Sequence, residues 1–178
     1  MQRIIYYVAT SIDGFIAGEN DDVTQFYYQG KGVEKYQADI SKFKTVIMGR
    51  KTYEMGYSFG LKPGQPAYQG MEHFIFSDTL VFDNPADTVH VRKVKLDNIK
   101  EIKETSPTDI YMCGGGKFAE WLLNNDQIDQ IKVKVNPIVL GKGTHLFGTL
   151  ANITRLKLVD SESFDDGMVI LTYDVLKH

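Results

Sequence analysis

Apolar runs and helix-like segments alternate along this chain, and that alternation limits its folds more than any other feature. RIIYYVA (3–9) is rich in β-branched and aromatic residues and breaks at Gly14. VEKYQADISKF (33–43) spaces Val33, Tyr36, Ile40 and Phe43 as one face of a helix. TVIM (45–48), HFIFS (73–77), TVHVR (88–92) and DIYMC (109–113) read as further strands, and KTYEM reads as a helical turn. LDNIKEIKE (96–104) puts Leu96, Ile99 and Ile102 on one helical face, and KFAEWLLNN (117–125) does the same with Phe118, Trp121 and Leu122. IDQIKVKVNPIVL (128–140) alternates Ile131, Val133 and Val135 with lysines as far as Pro137. RLKLVDSES and MVILTYDVL flank Asp165-Asp166-Gly167, a hairpin turn sequence. Strand–helix alternation predicts an α/β protein with a central mixed, mostly parallel sheet and helices on both faces. The last two strands add an antiparallel hairpin.

At 178 residues, with no linker or repeat, the chain is expected to be one domain spanning 1–178. A net charge of −3 argues against a nucleic-acid-binding surface. Cys113 is the single cysteine, which excludes an internal disulfide and makes the cytoplasm the expected compartment. MQRIIYYVATSIDG lacks the organisation of a signal peptide, and no apolar run approaches membrane-spanning length, so no membrane contact is expected. His73, His90, His145 and His178 match no metal-ligand spacing, so no metal is expected.

In a mostly parallel sheet the ligand crevice lies at the carboxyl ends of the strands, and two unusual turns fall there. The first is Gly49-Arg50-Lys51-Thr52. Gly49 permits close approach of a ligand, Arg50 can hold a phosphate bidentately, Lys51 adds a point charge, and Thr52 offers a hydroxyl. The plainer reading is two solvated cations and a helix-capping threonine. The second turn is Cys113-Gly114-Gly115-Gly116-Lys117-Phe118. Three successive glycines are entropically costly, which suits contact between backbone and ligand, or else tight strand–helix packing. Gly114 to Ala119 fits the loose pattern G-x-G-x-x-A, but late in the chain. Two anion-friendly turns on one sheet suit a dinucleotide.

VATSIDGFIAG, VIMGRKTYE, HFIFSDT, IYMCGGGKFAEWLL and NPIVLGKGTHLF, in this order, resemble the dihydrofolate reductase superfamily. The resemblance runs from about residue 3 to residue 176. The blocks at 11–14 and 137–147 look most like the C-terminal reductase domain of the bacterial riboflavin-biosynthesis deaminase/reductase. It implies a dihydrofolate reductase-like three-layer sandwich that binds NADPH, with NADH not excluded, and delivers a hydride to a small heterocyclic or ribosyl substrate. The reaction implied resembles that of 5-amino-6-(5-phosphoribosylamino)uracil reductase. Carried onto this chain, Gly49, Arg50, Lys51 and Thr52 would line the adenosine-phosphate and pyrophosphate region, and Ser77 would lie near the ribose phosphate. Gly114, Gly115, Gly116 and Lys117 would hold the pyrophosphate across a cis Gly114–Gly115 peptide. Ala9 and Ile16 would flank the nicotinamide. A homodimer is also implied.

The chain departs from true dihydrofolate reductases on the helix that grips the pterin. Asp39-Ile40-Ser41-Lys42-Phe43 imitates the acidic motif too close to the next strand, and Glu34 has the wrong neighbours. Both acids read as solvated helix charges. Asp78 stands where a cation or hydroxyl commonly serves the 2′-phosphate, so it bears on the choice between NADPH and NADH. Asp13, in S-I-D-G, is the catalytic candidate as a proton donor, set against a simple Asx turn. Cys113 reads as a small buried hydrophobe. The rivals to a riboflavin-type reductase are dihydrofolate reductase itself and a non-catalytic nucleotide-binding module. The zinc-binding deaminase motif is absent from the sequence.

Overall fold

The computed structural model describes residues 1–177. Its first strand, β1 (Ile4–Thr10), lies inside an eight-stranded sheet. The remaining principal strands are β3 (Thr45–Gly49), β4 (Glu72–Phe76), β5 (Val89–Arg92), β6 (Ile110–Gly114), β7 (Gln130–Val135), β9 (Arg155–Ser163) and β10 (Val169–Leu176). The order across the sheet is β5-β4-β3-β6-β1-β7-β10-β9. All pairings from β5 to β7 are parallel, and β10 then runs antiparallel to both β7 and β9. This is the mixed, mostly parallel sheet with a closing hairpin that the sequence implies.

Among the described residues, four α-helices make the outer layers: α1 (Lys31–Ile40), α2 (Arg50–Met55), α3 (Leu96–Thr105) and α4 (Gly116–Asn124). Alternation along β1 divides the core between them. Ile4, Tyr6 and Val8 face α3 and α4, packing with Ile99, Ile102, Phe118 and Leu122. Ile5 and Tyr7 face α1 and α2, packing with Ile40 and Tyr53.

Several boundaries differ from the sequence reading, each for a local reason. The helix expected over 33–43 begins at Lys31 and ends at Ile40, leaving Phe43 to pack from the following turn. Gly30, with φ of 110°, sets its start. Leu96, expected on the buried face of α3, is exposed because it is the first residue of that helix and precedes its packed turn. The strand expected over 128–140 stops at Val135, two residues before Pro137. A further antiparallel pair, β2 (Phe15–Ala17) with β8 (Thr144–His145), had no sequence signature.

The lysines of β7 are the most informative difference. Alternation places them on the strand face opposite Ile131 and Val133, and α1 covers that side of the sheet too. Lys134 is buried and Lys132 is mostly so.

Candidate functional site

β3 and β6 are neighbours, so the two glycine turns predicted at their ends emerge side by side. Between them and β2 opens a cavity of about 580 Å³. Ile16, Gly49, Arg50, Lys51, Thr52, Gly114, Gly115, Gly116 and Lys117 all line it. Nine of the twelve residues expected at the site thus share one cleft. Its size is in the range of ordinary small-molecule pockets.

The glycines are there for identifiable reasons. Gly114 has a φ of 141° and joins Gly115 through a cis peptide bond, as the resemblance implied. A β-carbon on Gly115 would come within 2.9 Å of the Thr52 hydroxyl, and one on Gly116 would collide with the His145 carbonyl. The β6 turn is therefore pressed between α2 and β8, with its backbone toward the cleft. No side chain caps the start of α4, so its first N–H groups and the positive end of its dipole are available to an anion.

Three cations border the cavity. The Arg50 guanidinium is braced by Glu54, with Nε 2.7 Å from Oε1, and by Thr79, with Nη1 3.0 Å from Oγ1. Lys51 and Lys117 join it from the two turns. Phe118 stacks against both Phe76 and Trp121, and all three contribute an apolar wall. Polarity changes along the cleft: on the β2 side stands the carboxylate of Asp21, which accepts a hydrogen bond from the Thr144 hydroxyl.

The other three expected residues lie elsewhere. Ser77 accepts hydrogen bonds from the N–H groups of Thr79 and Leu80, so it shapes the turn carrying Thr79, which in turn braces Arg50. Ala9 sits on the α1 side of the sheet, paired in register with Lys134. Asp13 fastens two loops: Oδ1 accepts the Leu140 N–H at 3.1 Å and Oδ2 accepts that of Gly141 at 2.7 Å. The Ser11 hydroxyl, ahead of those two N–H groups, holds its carboxyl down at about 2. As an ionised carboxylate Asp13 acts here as a hydrogen-bond acceptor that joins two loops.

Asp78 is exposed, accepts the Val94 N–H at 3.4 Å and does not itself line the cavity. One further expectation is corrected. Asp39 is no solvated helix charge. It is buried and takes Lys35, Lys42 and Lys132 together with the Tyr7 hydroxyl. Burial alone would raise its pKa, but the lysine hydrogen bonds outweigh this and hold it well below the usual carboxylate range. So occupied, it cannot serve as a pterin-binding acid. Glu34 is exposed and pairs with Lys31. Cys113 does line the cleft, and burial pushes its thiol up to about 12, as suits an inert thiol.

Sequence reasoning missed Asp21, Met55, Val94, Trp121 and Thr144 as cleft residues. Trp121 carried the periodicity of a core residue, and Thr144 is recruited by a two-residue strand. Asp21 had a local sign only in the backbone, where it and Asn20 take left-handed conformations.

The sheet order, the layers and the cleft define a dihydrofolate reductase-like α/β protein. Residues 2–170 match the family model for the RibD C-terminal domain, and the chain belongs to that family. A candidate riboflavin biosynthesis protein from Shewanella sp. PV-4 superposes with a TM-score of 0.83 at 26% identity, over 99% of this chain and 100% of that one. The deaminase/5-amino-6-(5-phosphoribosylamino)uracil reductase of Thermotoga maritima superposes at 0.73 with 17% identity, over 98% of this chain but 57% of that longer one. The uncharacterized protein YwjB of Bacillus subtilis is 28% identical over 164 residues, 92% of each chain. Among the described residues, no helix is long and apolar enough to cross a membrane and no acidic, histidine or cysteine cluster is arranged to hold a metal.

Proposed function

We propose that this protein is a nicotinamide-dependent reductase that transfers a hydride to a small carbonyl-bearing heterocycle or its ribosyl derivative. NADPH is the preferred cofactor in this reading. The observation that carries it is the shared cleft. Glycine turns from two adjacent strand ends meet there with Arg50, Lys51 and Lys117, while an apolar wall and the Asp21 carboxylate continue the same cavity.

The residues present fit a dinucleotide. The α4 N-terminus and Lys117 suit a pyrophosphate, and the exposed Arg50 and Lys51 suit a further phosphate on the adenosine side. Asp21 and Thr144 offer acceptors for hydroxyl or amide donors at the opposite end. When bound, the reduced nicotinamide supplies the hydride. The chain's own contribution is to orient that group, exclude water and hold the acceptor against it. Ile16 flanks the ring in this reading, and Asp13 acts indirectly by fixing the loop at Leu140 and Gly141. The protein works in the cytoplasm.

The family likeness and the neighbour described as a uracil reductase support a pyrimidine-like acceptor. The saturated Asp39 disfavours folate. Titration with NADPH and NADH, followed by cofactor oxidation against a panel of pyrimidines and dihydrofolate, tests the reading. NADPH binding with pyrimidine turnover is expected. Absence of binding at millimolar concentration overturns it, and binding without turnover of any acceptor leaves a nucleotide-binding module.

The reading includes a homodimer. Supporting it, β9 is a nine-residue edge strand with exposed Leu156, Leu158 and Val159. Arg155 and Lys157 charge its first half and Asp160 and Glu162 its second. Antiparallel pairing with a second β9 sets opposite charges together and covers an otherwise open edge.

A further inference from the structure

Among the described residues, Lys103, Lys132 and Lys134 are largely withdrawn from solvent, and the first two are answered by a carboxylate. Lys103 lies 2.8 Å from Asp129 and also donates to the Gln127 carbonyl at 3.1 Å. Lys132 lies 2.6 Å from Asp39. Lys134, two residues farther along the same strand, is 4% exposed and is held differently. Its Nζ stands 4.9 Å from the centre of the Tyr36 ring, and the hydrogen bond found for it is a long one, 3.4 Å, to the Tyr27 carbonyl. Asp166, in the β9–β10 turn, acts on it through space without forming an ion pair. The ring face and one carbonyl replace little of the hydration that a buried ammonium gives up.

The place of this amine gives it a use. Lys134 pairs with Ala9 across β1 and β7, on the sheet face shared with Cys113, which itself reaches the cleft. The segment whose Tyr27 carbonyl covers it is non-helical from Asp22 to Gly30, and Asn136 Oδ1 ties it down by accepting the Tyr27 N–H at 3.0 Å.

We infer that Lys134 is the acceptor-recognition residue: its ammonium hydrogen-bonds a carbonyl oxygen of the heterocycle that receives the hydride. The Tyr27 carbonyl stands in for that oxygen in the free protein and withdraws when the acceptor enters. The aromatic face of Tyr36 remains as the other side of the seat. The acceptor class rests on the reductase reading above; the underused cation does not.

Two measurements test this. The first is calorimetric titration of the wild-type protein and Lys134→Met with uracil and with pyrimidine, the same ring without carbonyl oxygens, both with saturating NADPH and without cofactor. Wild type is expected to bind uracil at least tenfold more tightly than pyrimidine, and Lys134→Met to lose that preference while keeping its NADPH affinity. No preference in wild type, or a preference that survives in Lys134→Met, overturns the inference. Failure of wild type to bind NADPH counts against the reductase reading instead, and the titrations without cofactor still judge Lys134. The second measurement is thermal stability. Lys134→Met is expected to raise Tm, because it removes a poorly compensated buried charge, whereas Lys132→Met lowers Tm by stranding Asp39. A comparable fall in Tm for both variants makes Lys134 a structural residue and overturns the assignment.

Discussion

Lys132 Nζ lies 2.6 Å from Asp39 Oδ2 and so ties β7 to α1, with Lys35 and Lys42 completing a three-lysine cage around one carboxylate. Removing that carboxylate leaves three ammonium groups facing one another. Asp39→Asn is expected to cost about 3 kcal/mol at pH 7, the scale for breaking a buried ion pair. The folded pKa is depressed, so this stability is present above the unfolded value of 3.8 and is lost as pH falls below it. Urea titrations at pH 7 and pH 3 check both points: the gap between wild type and variant should be wide at the first and measurably narrower at the second, because at pH 3 the unfolded carboxyl is largely protonated while the folded one is still ionised.

His73 supplies a second pH dependence with the same sign. It is fully buried, its Nε2 accepts the Tyr68 N–H at 3.0 Å, and its Nδ1 has no partner. Burial lowers its pKa below 6.5, so the unfolded chain binds the proton more readily. Stability should fall as pH drops through 6.5 toward the folded pKa, by up to about 1.4 kcal/mol per pH unit. His73→Gln should flatten the stability profile between pH 5 and 6.5; an unchanged slope would assign the effect to another group.

The cations of the cleft can be separated by cofactor. Arg50→Ala and Lys51→Ala are expected to weaken NADPH more than NADH, by about 1–3 kcal/mol where charged hydrogen bonds to a 2′-phosphate are lost. Equal losses for the two cofactors would move these residues to the pyrophosphate.

Asp13 is expected to matter through backbone order. Asp13→Ala should speed amide exchange at Leu140 and Gly141 while the central strands keep their protection. If exchange there is unaltered and the pH–rate profile loses a limb, Asp13 belongs to the chemistry after all.

The proposed dimer is tested at Leu158, an exposed β9 residue. Leu158→Arg should convert dimer to monomer in sedimentation velocity with little change in Tm; a monomeric wild type would remove the proposal.

Much of the fold was legible because its strands and helices follow simple periods. The two glycine turns were legible as well, since consecutive glycines beside cations have few other uses. What could not be read was burial that depends on a distant element. The IKVKV alternation looks one-sided until α1 is known to cover the lysine face, and only then do Lys132 and Lys134 become buried amines. Asp39 changed from surface charge to hub for the same reason. Asp13 kept its predicted turn position, but its partners lie 127 and 128 residues away, beyond any local pattern. β2 and β8 are too short to carry a period at all.

The position of β1 also governs how the chain assembles. β1 is made before every other strand of its sheet, yet its two neighbours are residues 110–114 and 130–135. At roughly 5–20 residues per second, a ribosome needs several seconds or more between making the first strand and making its partners. Through that interval IIYYVAT has both edges open and every apolar side chain uncovered. The central strand can close only after residues 130–135 have emerged, so folding is predominantly a late event, and a chain stopped before residue 128 presents this largely apolar strand to whatever lies nearby.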